Sequence, residues 1–141
     1  MGNAGILVTR VLYRKQAVDK IFLVTDAGMN DLLRPAFYKA YHAVQPVENS
    51  FRESVVADIV GPICESSDFS AQDRSIPDMR PNELLAIMGA GAYSFVMSSN
   101  YCSRPRVAEV MVHGDRFDIV RQRETLDDLT RGEQLPGWMD E

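Results

Sequence analysis

Several features are scarce in this 141-residue chain, and each scarcity excludes something. Two cysteines, Cys64 and Cys102, are too few for a disulfide scaffold, and their spacing is not that of a metal site. Two histidines, His42 and His113, lie in no ligand-like cluster, so no metal is expected. Basic residues are outnumbered, 15 against 20 acidic, and no basic block stands ready to neutralise phosphates. That argues against a nucleic-acid binder. No apolar run approaches the 18 or so residues that cross a bilayer, which predicts no membrane span. The first residues lack both a secretory signal and a myristoylation pattern. The expected location is therefore the cytoplasm, with both thiols reduced. Internal repeats, low-complexity tracts and internal linkers are absent, so residues 1–141 read as one domain.

What is present is β-forming sequence. Residues 6–14 are rich in β-branched types, and Lys20–Thr25 reads as their hairpin partner across a short polar break. Shorter strands are expected at 41–47, 55–60, 84–88, 107–113 and 117–120. Asn30 or Asp31 is placed to cap a short helix through Leu32 and Leu33, which Arg34-Pro35 would interrupt. Residues 66–81 are polar and proline-punctuated, and read as a long functional loop. A helix is expected over 124–130, and Trp138 lies in a tail that packs or frays. Strands without alternating long helices give a mainly β fold, a Greek-key-like barrel or sandwich with short helices.

Three stretches carry chemistry. Gly61-Pro62 ends a strand, so Cys64 and Glu65 fall where a rigid element turns into a loop. A thiol there could exchange a proton, and its neighbouring carboxylate could hold an amine; equally, Cys64 could be a small buried hydrophobe. Arg34 and Tyr38, four apart, share a face if one helical turn carries both, and together could clamp a carboxylate. A surface ion pair beside an aromatic anchor fits the same spacing. Gly89-Ala90-Gly91 could cradle a phosphate on backbone N–H groups with Tyr93 adding a hydroxyl, or could simply be a tight bend.

The order and spacing of Asp26–Tyr38, Gly61–Asp68, Gly89–Tyr93, Ser98–Tyr101 and Arg104–Arg106 carry a resemblance. Together they resemble the C-terminal β-domain of the diaminopimelate decarboxylases, a fold-type III pyridoxal-phosphate family. The resemblance spans essentially the whole chain, with Ser67 standing where the family usually has glycine. It implies pyridoxal 5'-phosphate as cofactor and meso-2,6-diaminopimelate as substrate, with L-lysine and CO2 as products. Cys64 would then be the proton donor, and Arg34 and Tyr38 would bind the distal carboxylate. Glu65 would bind the distal ammonium, and Tyr93 would touch substrate and cofactor phosphate. It also implies a homodimer in which Cys64 and Glu65 reach the neighbouring subunit's site.

The family's N-terminal (β/α)8 barrel and its Schiff-base lysine have no counterpart among these residues, because Lys15, Lys20 and Lys39 do not match. The chain therefore reads as a fragment, inactive alone, with an opening that runs on from something upstream. Two alternatives share the fold: a non-catalytic assembly module, and the same domain of an ornithine- or carboxynorspermidine-type decarboxylase. Arg34 and Tyr38 favour diaminopimelate over ornithine, since buried donors left unpaired against a substrate without a distal carboxylate cost several kcal/mol.

Overall fold

The β-branched opening run forms the longest strand, β1 (Ile6–Gln16), in the computed structural model, which describes residues 2–49 and 51–140. Its two halves have different neighbours. The second half pairs with β2 (Ile21–Thr25) as the expected antiparallel hairpin, from Gln16↔Ile21 to Val11↔Thr25, with a bulge between Val11 and Tyr13. After β2 come a turn, the short helix α1 (Arg34–Tyr38), and strands β3 (Val44–Pro46), β4 (Ser54–Val60), β5 (Phe69–Pro77) and β6 (Leu84–Met88). The first half of β1 pairs with β6, from Ile6↔Met88 to Arg10↔Leu84.

This offset gives the six-stranded sheet its stagger, with strand order β3-β6-β1-β2-β4-β5. The edge strands β3 and β5 come close to each other, and the Arg74 guanidinium on β5 lies 3.8 Å over the Tyr41 ring just before β3. The result is a nearly closed, barrel-like sheet, as the mainly β reading expected. Its core is Val11, Leu23, Ala57, Ile59, Ala71, Ile76, Met79 and Leu85, drawn from the strands and the segment after β5. No helix among the described residues is long and apolar enough to cross a membrane.

Three local expectations are corrected. The long loop at 66–81 instead contains β5, which pairs antiparallel with β4 from Ser54↔Pro77 to Val60↔Phe69. Proline at position 35 starts a helix rather than interrupting one, because its fixed φ suits the first turn and its missing N–H has no partner to lose there. The strand expected at 41–47 is confined to Val44–Pro46, because His42 turns inward and its Nδ1 lies 2.8 Å from the Met88 carbonyl.

Residues Met1–Ser98 form one compact unit and Ser99–Glu141 a second. In the second, β7 (Glu109–His113) and β8 (Arg116–Arg121) make the expected hairpin, turning at Gly114 with φ 62°. Helix α2 (Leu126–Thr130) begins later than expected, behind a capping box in which Thr125 and Asp128 each accept the other's backbone N–H. Cys102 is exposed and sits at φ 56°, where an L side chain is strained. Trp138 is exposed rather than packed.

Glu124, outside the helix, ties down the loop before β7. Its carboxylate accepts from the Arg106 side chain at 2.7 Å, the Arg106 backbone at 2.8 Å and Asn100 Nδ2 at 2.6 Å. These donors, the Arg106 side chain first, hold its pKa down from 4.5 to about 2. A depressed folded-state pKa means stability present above pH 4.5 and lost as pH falls toward about 2. Protection of the Arg106 amide, measured relative to its intrinsic exchange rate at each pH, is therefore expected to fall across that window. Glu124→Gln should flatten the profile, and an unchanged profile in the variant would refute the assignment.

Candidate active site

Strand direction decides where the candidate residues go. β2 and β4 are parallel neighbours, Ile21↔Ala57 to Val24↔Val60. β6 is antiparallel to β1, which is antiparallel to β2, so β6 points the same way as β2 and β4. The loops that follow all three strands therefore leave from one end of the sheet. Arg34 and Tyr38 follow β2, Cys64 and Glu65 follow β4, and Tyr93 follows β6.

The first two of these loops are joined. Asp68, buried, accepts the backbone N–H of Met29 on Oδ1 and that of Ile63 on Oδ2, both at 2.6 Å. Between them the backbones touch: a Cβ on Gly61 would lie 2.5 Å from both the Gly28 Cα and Asp68 Oδ2. Only glycine permits that approach. Asp31, also buried, holds the first loop's shape by accepting from Gly28 N and Asn30 Nδ2, each at 3.0 Å.

On this base α1 presents Arg34, half-buried, and Tyr38, 59% exposed, four residues apart on one helical face. Tyr38 meets Phe37 edge-on with ring centroids 4.8 Å apart. Cys64 and Glu65 are both exposed at the tip of the second loop, so the buried-hydrophobe reading of Cys64 does not hold. One thiol, one carboxylate, one guanidinium and one phenol are thus carried by two loops fastened to each other. Arg34 and Tyr38 can bind a carboxylate, Glu65 can bind an ammonium group, and Cys64 can transfer a proton.

Tyr93 belongs to a different neighbourhood, beyond β1. β6 ends opposite Ile6 whereas β2 ends opposite Val11, five positions along β1, or roughly 16 Å at strand rise. The bend before it does not cradle a phosphate on the amides of residues 90 and 91. Ala90 N already donates to the Gly5 carbonyl at 2.8 Å, and Gly91 N to that of Gly2 at 3.0 Å. The tight-bend reading accounts for these glycines: a Cβ on Gly5 would lie 2.4 Å from the Gly91 Cα. Tyr93 itself is 66% exposed and held at φ 57°. An L residue in that left-handed region is strained.

Against pyridoxal phosphate the donor set fits at one end. The Tyr93 hydroxyl suits a phosphate, but the lysines do not suit an aldehyde. Lys15 and Lys20 belong to the β1–β2 hairpin at the opposite end of the sheet, Lys20 paired with Asp58 at 2.7 Å, and Lys39 caps α1. No group of three or more His, Cys, Asp or Glu side chains among the described residues could hold a metal ion.

Sequence reasoning singled out Cys64, Glu65, Arg34 and Tyr38, gave Asp31 only a capping role, and did not single out Asp68 or the crossing of Gly28 with Gly61. The available signal was Asp68 itself, an acidic residue closing the same short motif as Cys64.

Comparison with known proteins adds the lineage. Residues 2–91 match the family model described as the C-terminal sheet domain of pyridoxal-dependent decarboxylases. The chain is 54% identical over 127 residues to the diaminopimelate decarboxylase of Aquifex aeolicus, covering 90% of this chain and 30% of that protein. With the enzyme of Archaeoglobus fulgidus it shares 46% over 140 residues, 99% of this chain and 33% of that one. Among solved structures, diaminopimelate decarboxylase from Helicobacter pylori complexed with L-lysine aligns with a TM-score of 0.86 at 43% identity, over 92% of this chain and 32% of that chain. The M. jannaschii enzyme in co-complex with L-lysine gives 0.92 at 36%, over 96% and 31%. The chain thus spans about a third of the length of the curated relatives it matches.

Proposed function

Because this chain belongs to the family of C-terminal sheet domains of pyridoxal-dependent decarboxylases, we propose that it serves diaminopimelate decarboxylation. In that reading it is the substrate-recognising part of an enzyme that converts meso-2,6-diaminopimelate to L-lysine and CO2. The observation that carries this is the pair of fastened loops, one presenting Arg34 and Tyr38 and the other Cys64 and Glu65, the latter pair reaching the neighbouring subunit's site. L-lysine, the product in this reading, is the molecule named in the complexes of the two solved relatives.

Each residue has a task its chemistry suits. The Arg34 guanidinium and the Tyr38 hydroxyl donate to the carboxylate at the end of the substrate that does not react. Glu65 accepts from the ammonium beside it. Loss of CO2 leaves an electron pair on the α-carbon, and the Cys64 thiol gives that carbon its proton and recovers one from solvent, so charge and atoms balance. Bound pyridoxal phosphate supplies the electron sink that makes the loss of CO2 possible. Tyr93 donates its hydroxyl to the phosphate.

The enzyme in this reading is a cytoplasmic homodimer, with an N-terminal (β/α)8 barrel completing each site. Two features support a covered surface: the exposed aromatics Phe37, Tyr38 and Tyr41, and the exposed apolar residues on both strands of the β7–β8 hairpin. CO2 release from meso-diaminopimelate with added pyridoxal phosphate tests the reading. This chain alone is expected to release none, and release to appear when a separately expressed barrel domain from the family is added. Turnover by the chain alone would place a functional lysine at Lys15, Lys20 or Lys39 and overturn the division of labour.

A further inference from the structure

His42 is buried, 3% exposed, beside the end of β6. Its Nδ1 lies 2.8 Å from the Met88 carbonyl, and because a carbonyl only accepts, Nδ1 carries the proton. Nε2 is buried as well and has no hydrogen-bond partner among the described residues. An imidazole buried with one nitrogen unpaired costs more than an apolar side chain of the same size would. What the imidazole adds at this position is the donor at Nδ1.

That donor acts on a backbone group with a consequence further along the chain. The Met88 N–H goes to the Ala43 carbonyl at 2.8 Å, so both backbone groups of the last β6 residue are held from the β3 side. Directly after it, Gly89 turns the chain at φ 70°, and a Cβ there would sit 3.8 Å from His42 Nδ1. From the other side, the Gly5 and Gly2 carbonyls receive the amides of Ala90 and Gly91. The bend that delivers Tyr93 is therefore gripped at its base by His42 and along its length by the first residues of the chain.

Tyr93 is 66% exposed, so packing does little to aim its ring, and the backbone of the bend decides where its hydroxyl stands. We propose that His42 is a positioning residue for Tyr93, fixing that hydroxyl for the cofactor phosphate, an inference that rests on the role given to Tyr93 above. Both residues belong to one chain and, in that reading, to one site, since Cys64 and Glu65 are the pair that crosses to the neighbour. Loss of the Nδ1 donor frees the Met88 carbonyl and lets the bend shift, and a hydrogen bond to a phosphate oxygen weakens steeply once misaligned.

Two substitutions separate the donor from the space it fills. His42→Leu removes the donor and keeps much of the volume, whereas His42→Asn loses volume but offers an amide N–H near the place of Nδ1. In this chain, exchange at Met88 and Ala90 is expected to rise about 5-fold in His42→Leu, as loss of a neutral hydrogen bond requires, and to stay within about 2-fold in His42→Asn. Leu23 and Val11, in the core, should exchange as before in both. Asparagine proving the worse of the two would mean that His42 acts by filling space, and would overturn the assignment. If His42→Leu does not fold, His42→Gln, whose amide reaches toward the place of Nε2 instead, should raise the same two amides; no rise there would overturn it equally.

In the decarboxylase carrying this domain, the apoenzyme is titrated with pyridoxal phosphate and with pyridoxal, which lacks the phosphate. His42→Leu is expected to weaken binding of pyridoxal phosphate about 10-fold while pyridoxal stays within about 2-fold and His42→Asn stays close to the parent. The loss should vanish in a Tyr93→Phe background, because a residue acting through the hydroxyl has nothing left to position. Equal losses for the two ligands, or an equal loss in the Tyr93→Phe background, would overturn the proposal. Pyridoxal phosphate binding that Tyr93→Phe alone leaves unchanged would instead refute the role of Tyr93 on which the proposal rests.

Discussion

Cys64→Ala is expected to lower lysine formation from meso-diaminopimelate by about 10²–10⁴-fold, the range a positioned general acid contributes. The effect should fall on kcat, since the thiol acts after the substrate is bound and has no part in holding its distal end. Stability should change by no more than about 0.5 kcal/mol, because Cys64 is exposed at a loop tip and outside the core. Thermal unfolding of this chain and lysine formation by the barrel-completed enzyme measure the two halves of that statement. Lysine formation within 3-fold of the parent, with unfolding unchanged, would remove Cys64 from the chemistry.

Arg34→Ala is expected to reduce kcat/KM for diaminopimelate by roughly 100-fold, as loss of a charge-assisted pair to a carboxylate implies. The diagnostic is selectivity rather than activity. A basic amino acid without the distal carboxylate never used the guanidinium, so its slow turnover should be little affected and the preference for diaminopimelate should collapse. Arg34→Lys should restore only part of the preference, because an ammonium cannot reproduce the planar fork. Equal losses on both substrates would mean that Arg34 supports the loop instead of reading the substrate. Its place in the first turn of α1 beside Pro35 makes that the alternative to exclude.

Both experiments rest on residues that were visible in the sequence, and the reason is local. Gly61-Pro62 is a stop signal that needs no tertiary information, so the place of Cys64 and Glu65 where a strand turns into a loop followed from their neighbours, whereas the exposure of Cys64 did not. Leu84–Met88 was legible as a strand to the residue, because a short apolar run bounded by polar and glycine residues has few other solutions. β5 was not legible. It is an edge of the sheet pairing only with β4, and its Gln72, Asp73 and Arg74 are the polar residues an edge carries to discourage further pairing. Asp73 even sits at φ 51° beside a bulge, where its N–H donates to the buried Asp58 at 2.7 Å. Polarity that marks a loop in one context marks a protected edge in another, and only the partner strand tells them apart.

The site divides along the same line. Chemistry-bearing side chains announce themselves by type, but the groups that place them act through backbone amides far away in the chain. Asp68 receives an N–H from Met29, 39 positions earlier, and no side-chain pattern at residue 29 advertises it. The bend at residues 89–91 was open to two readings, an anion cradle or a tight bend, and the tight bend holds, because the small residues there serve a backbone contact with Gly5 that the sequence gives no reason to expect.

The divided partnership of β1 bears on how the chain is made. Residues 11–16 find their neighbour in the next few positions along, but Ile6–Arg10 wait for Leu84–Met88. At a ribosomal rate of 5–20 residues per second, that delay is on the order of ten seconds. Through that interval a β-branched segment with unsatisfied amides and carbonyls is available to any other nascent strand. Nor can the β2–β4 pair form early, because parallel strands must first close a long crossover. Assembly of this sheet is therefore a late, non-local event, complete only after β6 emerges.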